Sequence, residues 1–473
     1  MRLSLLLVLL LVACESAPPA TPVSLFPGEQ AFVDDFGPPE VLLARLRALP
    51  GVEEVDELHA DTKGRDPRRL LFTDRPACRA FSIRFAVAVN HDRPRGTRLL
   101  RRLFLSHCST QVPMVYSPDG YGLLDDFFQP EIVERLGANW LWAEHRLYGE
   151  SLPDWPEEPN PEDDPDAELR TIRQAAADDH DVVSAFKALY PRRWISTGVS
   201  KGGMTATFFR RFYPDDVDGT IAYVAPFLDG LYDQRFSAYQ DHAGDAACRD
   251  KVLAYQRALI LRQAELLEHV VPDVPADNHS LQYASRSFRW PFWQYDGDCT
   301  HVPAADADAV TMLVPVMGTD HVVPASSEGY GFPFIEESLL ELGFPVQSIR
   351  GLEDLIGEQT EDDLSGLFPD LTYDPYPMLD VRRWIASEAT RIVFVYGTID
   401  PWSGGAATPL VDATHDNLVV WAEGANHHAK IQQLGGSDRD HVVARLSRWA
   451  DAPVSDPSAA SSCSARGTVL TRS

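Results

Sequence analysis

The chain has 473 residues, 44% of them hydrophobic and 10% aromatic, with 42 basic and 70 acidic side chains that leave a formal charge of −28. That apolar content supports a substantial core and excludes wholesale disorder. The acidic balance repels nucleic acid and disfavours anionic membrane surfaces. It fits a soluble protein with a solvated acidic surface, or one whose substrates carry positive charge.

At the N-terminus, Arg2 precedes an apolar run over residues 3–12, followed by Ala13 and Cys14. A charged start, a short apolar stretch and a small residue read as an export signal. The run is too short to span a bilayer as a helix. Leu11-Val12-Ala13-Cys14 looks like a bacterial lipobox, which would make Cys14 a lipid-modified first residue and the protein's membrane tether. The alternative is an ordinary signal peptide with a chance cysteine. Residues 15–30, rich in Pro, Ala and Ser, read as a flexible tether. An oxidising compartment permits disulfides among Cys78, Cys108, Cys248, Cys299 and Cys463. The simplest scheme joins Cys78 to Cys108 and Cys248 to Cys299 and leaves Cys463 over, although sequence alone leaves the connectivity open.

Strand patterns follow at 81–90, 98–106, 113–117 and 139–143. The third runs into Pro118-Asp119-Gly120-Tyr121-Gly122, a turn signal. Residues 153–166 are crowded with Pro, Asp and Glu and read as an exposed loop. Helical spacing at 168–190, a strand at 194–199, a helix at 201–213 and a strand at 221–225 come next. After Pro226 the pattern turns helical, at 247–270, 336–342 and 352–359. Strands return at 392–396 and 418–421, and a last helix lies near 441–449. Such alternation argues an α/β fold with a mostly parallel sheet and helices on both faces. The expected division is a core over 31–226, a helical insertion over 227–387 lying as a lid across one end of the sheet, the rest of the core over 388–451, and a disordered tail over 452–473.

Gly198-Val-Ser200-Lys-Gly202 places G-x-S-x-G between a strand and a helix, the setting of a nucleophile elbow. Small neighbours let the serine occupy a strained turn, and the backbone N–H of Lys201 then faces an oxyanion site at a helix start. A serine nucleophile needs a base, and the base an orienting acid. In α/β-hydrolases these follow the serine as acid, then histidine. Asp400 lies just past one late strand, and His427 and His428 just past the next, so either imidazole could serve. Asp412 and Asp416 sit away from strand ends and read as surface charges. Gly120 and Tyr121 are the candidates for a second oxyanion donor, with a plain turn as the alternative. Residues 143–151, which include Glu144 and Arg146, read as a tight turn held by an acid and an arginine. Neither C-x-x-C nor H-E-x-x-H occurs, and no metal or other cofactor is expected.

Gly198-Val-Ser200-Lys-Gly-Gly-Met-Thr205, Glu144-His-Arg-Leu-Tyr-Gly-Glu-Ser151, Asp400-Pro-Trp402 and Asn426-His427 together resemble segments of the secreted bacterial prolyl tri- and tetrapeptidyl aminopeptidases. These are serine peptidases of the α/β-hydrolase superfamily, related to lysosomal prolyl carboxypeptidases. The resemblance runs from about Phe32 to Trp449. It implies an α/β-hydrolase sheet with a large helical lid, Ser200 as nucleophile, Asp400 as orienting acid and His427 as base. In the family the matching histidine directly follows Gly-Asn or Gly-Ala, which favours the first of the pair. The implied reaction releases tri- or tetrapeptides from a free N-terminus, after proline, through an acyl-enzyme. Peptides are the implied partners. Ser106-His107-Cys108-Ser109-Thr110 and Ala425-Asn426-His427-His428 depart from the family form, which bears on substrate length and proline preference. An apolar proline pocket could use Trp402, Trp290 or Trp293. The rival readings are a carboxylesterase or lipase on the same triad, and a catalytically silent envelope lipoprotein.

Overall fold

A computed structural model describes residues 39–58, 78–93, 98–118, 130–152, 169–269, 278–317, 331–356 and 371–455. Cys14, Cys463, the tether over 15–30 and the turn carrying Gly120 and Tyr121 lie outside them.

Helix α1 (Pro39–Arg47) leads into β1 (Val52–Leu58), β2 (Arg79–Ala88), β3 (Arg98–His107) and β4 (Met114–Pro118). Helix α2 (Glu131–Leu136), β5 (Asn139–Ala143), α3 (Ile172–Lys187), β6 (Trp194–Val199), α4 (Lys201–Phe212) and β7 (Gly219–Tyr223) follow. A mainly helical stretch contains α5 (Arg235–Gln240), α6 (Ala246–Leu261), α7 (Asn278–Ser287), α8 (Ala309–Met317) and α9 (Gly331–Glu337). Helix α10 (Tyr376–Ser387), β8 (Ile392–Gly397), β9 (Leu418–Ala422) and α11 (Gly436–Ala450) complete the described chain. Nine strands form one sheet in the order β1-β2-β3-β5-β4-β6-β7-β8-β9. Pairing is antiparallel from β1 to β5 and parallel from β5 to β9. This is the expected α/β-hydrolase sheet. Its parallel part is covered on both faces, so β7 and β8 are buried along their whole length.

On one face, Val182, Val183 and Phe186 of α3 pack with Phe209 of α4 onto Ile83, Tyr116 and Trp194. On the other, Ile132 and Leu136 of α2 and Val442, Leu446 and Trp449 of α11 cover Trp140, Ile195 and Val393. Helix α10 lies within the segment expected as insertion, yet Met378, Val381, Trp384 and Ile385 pack on Ile392 and Phe394 of the sheet. The insertion has its own apolar centre, formed by Val252, Tyr255, Leu259, Phe288, Phe292, Trp293 and Met312. Cys248 and Cys299 meet at disulfide distance there, and Cys78 meets Cys108 beside β2 and β3.

Sequence periodicity anticipated most strands but not β1, an acid-rich edge strand with only Val55 fully inside. The expected helix over 247–270 is two, Ala246–Leu261 and Gln263–Leu267. That expected over 336–342 begins earlier, as α9, and widens into a π-helical turn over Ser338–Leu342.

A buried ionic network ties the tight turn at 144–151 to α3. Arg146 donates to both carboxylate oxygens of Asp178, at 2.9 and 3.0 Å, and to the carbonyls of Leu169, Ala88 and Val89. Arg101 donates to Asp179 at 2.9 Å, and the Tyr116 hydroxyl to the same oxygen at 2.7 Å. Burial works against the Asp178 charge, but Arg146, His91 and Arg101 outweigh it and hold the carboxyl below its ordinary range. Glu144 closes the turn by accepting from the Glu150 amide and the Ser151 hydroxyl. Removing one member of a buried pair strands the other charge without water. Asp178→Ala is therefore expected to lose about 3–5 kcal/mol in urea denaturation; a loss under about 1 kcal/mol would show that Arg146 finds other compensation.

Candidate active site

Three loops at the carboxyl ends of parallel strands carry the expected residues. Ser200 follows β6, at φ 57° and ψ −124°, on the left-handed side that non-glycine residues seldom adopt. The turn is fixed by Ser200 N–H donating to Tyr223 O at 2.8 Å and by Met204 N–H donating to Ser200 O at 3.1 Å. Its neighbours must be small. A Cβ on Gly198 would stand 2.2 Å from the carbonyl carbon and oxygen of Gly202. Ser200 is partly exposed, and Lys201 opens α4, where first-turn amides have no partner within the helix.

Asp400 follows β8 and is fully buried. It caps a short 3₁₀ turn over Pro401–Gly405, with Oδ1 accepting from Trp402 N–H at 3.1 Å. Its other oxygen, Oδ2, lies 2.8 Å from Nδ1 of His427, which follows β9 and is itself buried. With Nδ1–H donating a hydrogen bond to Asp400 Oδ2, the His427 Nε2 lone pair is free to take a proton. Geometry thus separates the two candidate histidines. His428 is exposed, and its backbone amide donates to the Asn426 side chain. Asp412 caps a turn through Thr414 N–H, and Asp416 binds Arg448 and Trp449, so both acidic alternatives are structural.

The insertion reaches this site. The carbonyl of Gln294 accepts from His427 N–H at 3.0 Å, and Tyr295 sets its ring edge-on to the imidazole with centroids 6.3 Å apart. Trp402 lies 6.3 Å from the same imidazole and meets Trp290 at 5.0 Å and 89°, with Phe236 against both. Trp293, by contrast, belongs to the insertion's own core. The indole N–H of Trp402 is buried without a hydrogen-bond partner among the described residues. Where α4 meets the insertion, Glu337 lies 2.8 Å from the Lys201 ammonium and also accepts from Tyr148 OH at 3.2 Å. Burial, and next the Lys201 charge, push His145 well below its ordinary value, so that imidazole is neutral. Sequence gave no sign of Glu337, one acid among 70.

A serine on a strained turn and an imidazole held by a carboxylate, at one sheet edge, can generate an oxygen nucleophile without a metal. Gly198→Ala is expected to displace the turn and lower kcat by about 10²-fold; wild-type turnover would show that the elbow tolerates the methyl group. A second expectation concerns Glu341, which accepts from Ile172 N–H at 2.7 Å. Burial pushes its carboxyl up to about 7 from an ordinary 4.5; the Ile172 amide opposes the shift, and Glu337 and Asp374 add to it. The folded state then holds a proton that the unfolded chain releases, so stability falls as pH rises from about 4.5 to 7. Glu341→Gln should raise the melting temperature above pH 7 and leave it unchanged below pH 4.5, in thermal scans across that range.

Residues 69–471 match the family model described as PS-10 peptidase S37. The chain is 31% identical over 393 residues to a prolyl tri/tetrapeptidyl aminopeptidase of Streptomyces mobaraensis, covering 76% of this chain and 78% of that one. It is 27% identical over 422 residues to a lysosomal Pro-X carboxypeptidase of Bos taurus, covering 76% and 81%. Among solved structures, acetyl xylan esterase 1 from Thermoanaerobacterium superposes with a TM-score of 0.37 at 11% identity, over 86% of this chain and 90% of that one. The family match over residues 69–471 and the 31% identity to the Streptomyces enzyme show that the chain belongs to the PS-10 family of serine peptidases.

Proposed function

We propose that the protein is an exported exopeptidase that releases tri- and tetrapeptides from free N-termini, cutting after proline, with Ser200 as nucleophile, His427 as base and Asp400 as orienting acid. The 2.8 Å bond from His427 Nδ1 to Asp400, at the sheet edge that also presents Ser200, carries this reading. In the reaction, His427 Nε2 takes the Ser200 Oγ proton as Oγ attacks the carbonyl carbon of the proline residue itself. The carbonyl π electrons move onto its oxygen, which the N–H of Lys201 receives, together with a donor from Gly120 or Tyr121. Collapse expels the amine, which takes the proton from His427, and leaves an acyl-enzyme. Water, deprotonated by His427, then attacks the acyl carbon, and collapse breaks its bond to Ser200 Oγ, which takes that proton back from His427 as the peptide leaves.

Proline preference is supported by the similarity to the prolyl tri/tetrapeptidyl aminopeptidase of Streptomyces mobaraensis and by the apolar wall of Trp402, Trp290 and Phe236 beside His427. A proline ring offers apolar faces for such a wall and no N–H to satisfy. The insertion after Pro226, without the sheet-packed helix α10, acts as the lid that limits access to chain ends. Residues 1–14 act as a lipoprotein signal, with Cys14 lipidated and residues 15–30 as spacer, which places the enzyme in the cell envelope or outside it.

Hydrolysis of Ala-Ala-Pro-aminocoumarin, with and without an N-terminal acetyl group, tests the proposal in wild type and Ser200→Ala. Cleavage of the free amine alone, reduced about 10⁴-fold or more in the variant, is expected. An enzyme that cleaves a simple aryl ester and neither peptide would leave the esterase reading in front.

A further inference from the structure

The residue that follows Ser200 is a lysine whose side chain is not in solvent. Lys201 is 4% exposed, and its ammonium lies 2.8 Å from Oε2 of Glu337, the one carboxylate within ion-pair distance among the described residues. Glu337 is 6% exposed and stands at the end of α9, in the insertion. Tyr148 supports the pair from the tight turn after β5. Its hydroxyl donates to Glu337, and its ring lies 5.1 Å from the ammonium. His145 closes the group, with Nδ1 3.5 Å from the other Glu337 oxygen and 3.0 Å from its own partner, Arg146 O. Burial, with Lys201 next, keeps this imidazole neutral, so it cannot replace Glu337 as the site's anion or Lys201 as its cation.

A buried ammonium persists only if an anion and hydrogen bonds replace its water. Here the anion comes from the insertion, while the backbone N–H of the same lysine opens α4 beside Ser200. Anchoring the Lys201 side chain at its far end restricts its rotamers and, with them, the movement of the backbone that carries this N–H. We infer that Glu337 is a positioning residue: acting through Lys201, it holds the oxyanion-binding amide and the Ser200 turn, so that the insertion completes the nucleophile rather than only covering it. This rests on the reading of Ser200 as nucleophile.

The test uses the full chain and a small fluorophosphonate that carries no amine, and reads three quantities. These are the second-order rate of Ser200 labelling, kcat and KM on Ala-Ala-Pro-aminocoumarin, and the melting temperature. Glu337→Gln should slow labelling about tenfold or more, lower kcat by a similar factor and leave KM within about twofold. Lys201→Met should do the same, and the double variant should label no more slowly than Lys201→Met alone. If Glu337→Gln does not fold, the paired apolar replacement Glu337→Met with Lys201→Met removes both charges together and should fold with slowed labelling. Wild-type labelling in Glu337→Gln with a raised KM would overturn the inference and make Glu337 a ligand of the substrate's ammonium. Multiplicative losses in the double variant would also overturn it. If the wild-type protein is not labelled at Ser200, the nucleophile assignment itself fails and the inference with it.

Discussion

The bond between His427 and Asp400 depends on two loops from neighbouring strands crossing in backbone contact. That contact exists only because residue 397 has no side chain. A Cβ there would stand 2.2 Å from Ala425 O and 2.4 Å from Asn426 O, both backbone atoms of the histidine loop. Ile399 N–H donates to Ala425 O at 3.1 Å, and Thr398 N–H to Ala422 O at 3.2 Å, so the two loops are stitched together before any side chain meets. The parallel register of β8 with β9 brings Gly397 beside Ala422 and sets this crossing. The acid and the base are thus placed by sheet register and steric access, and their hydrogen bond follows.

The same edge is gripped from the insertion at each loop. Phe236 of α5 packs against Gly404 and Gly405 of the acid loop, and Tyr239 donates to Thr398 O at 3.0 Å. Ile399 leans on the insertion's apolar centre. The histidine loop gives its His427 amide to Gln294 O, and the nucleophile loop gives its lysine to Glu337. An insertion joined to all three loops is an integral wall of the site. The disulfide-distance pair Cys248–Cys299 and the core around Tyr255 and Trp293 give that wall its own rigidity.

Much of this was legible in the sequence because the carrying segments are local. Residues 194–199 are a β-prone run whose end, Gly198-Val199, leads into Ser200, and 392–397 and 418–422 are apolar β-prone runs that lead into loops bearing Asp400 and His427. Pairing His427 rather than His428 with the acid needed resemblance, since adjacent residues share their local signals and only the fold aims one of them inward. Strand β1 escaped notice because an edge strand buries one side of one ladder, and VEEVDEL shows no apolar alternation. Helix α10 reads as part of the insertion because the next strand signal after Pro226 comes only at 392, and only packing assigns it to the sheet. Glu337 could not be found by spacing, because its meaning comes from Lys201 and Tyr148, brought to it by the fold.

The most direct measurement is a crystal structure of the full chain with a tripeptide that ends in a proline boronate and has a free amino terminus. Ser200 as nucleophile predicts a covalent bond from boron to Ser200 Oγ, a boronate oxygen within hydrogen-bond distance of Lys201 N, and the proline ring against Trp402 and Trp290. Boron bound at any other side chain, or a bound peptide with Ser200 Oγ turned away from it, would contradict the assignment.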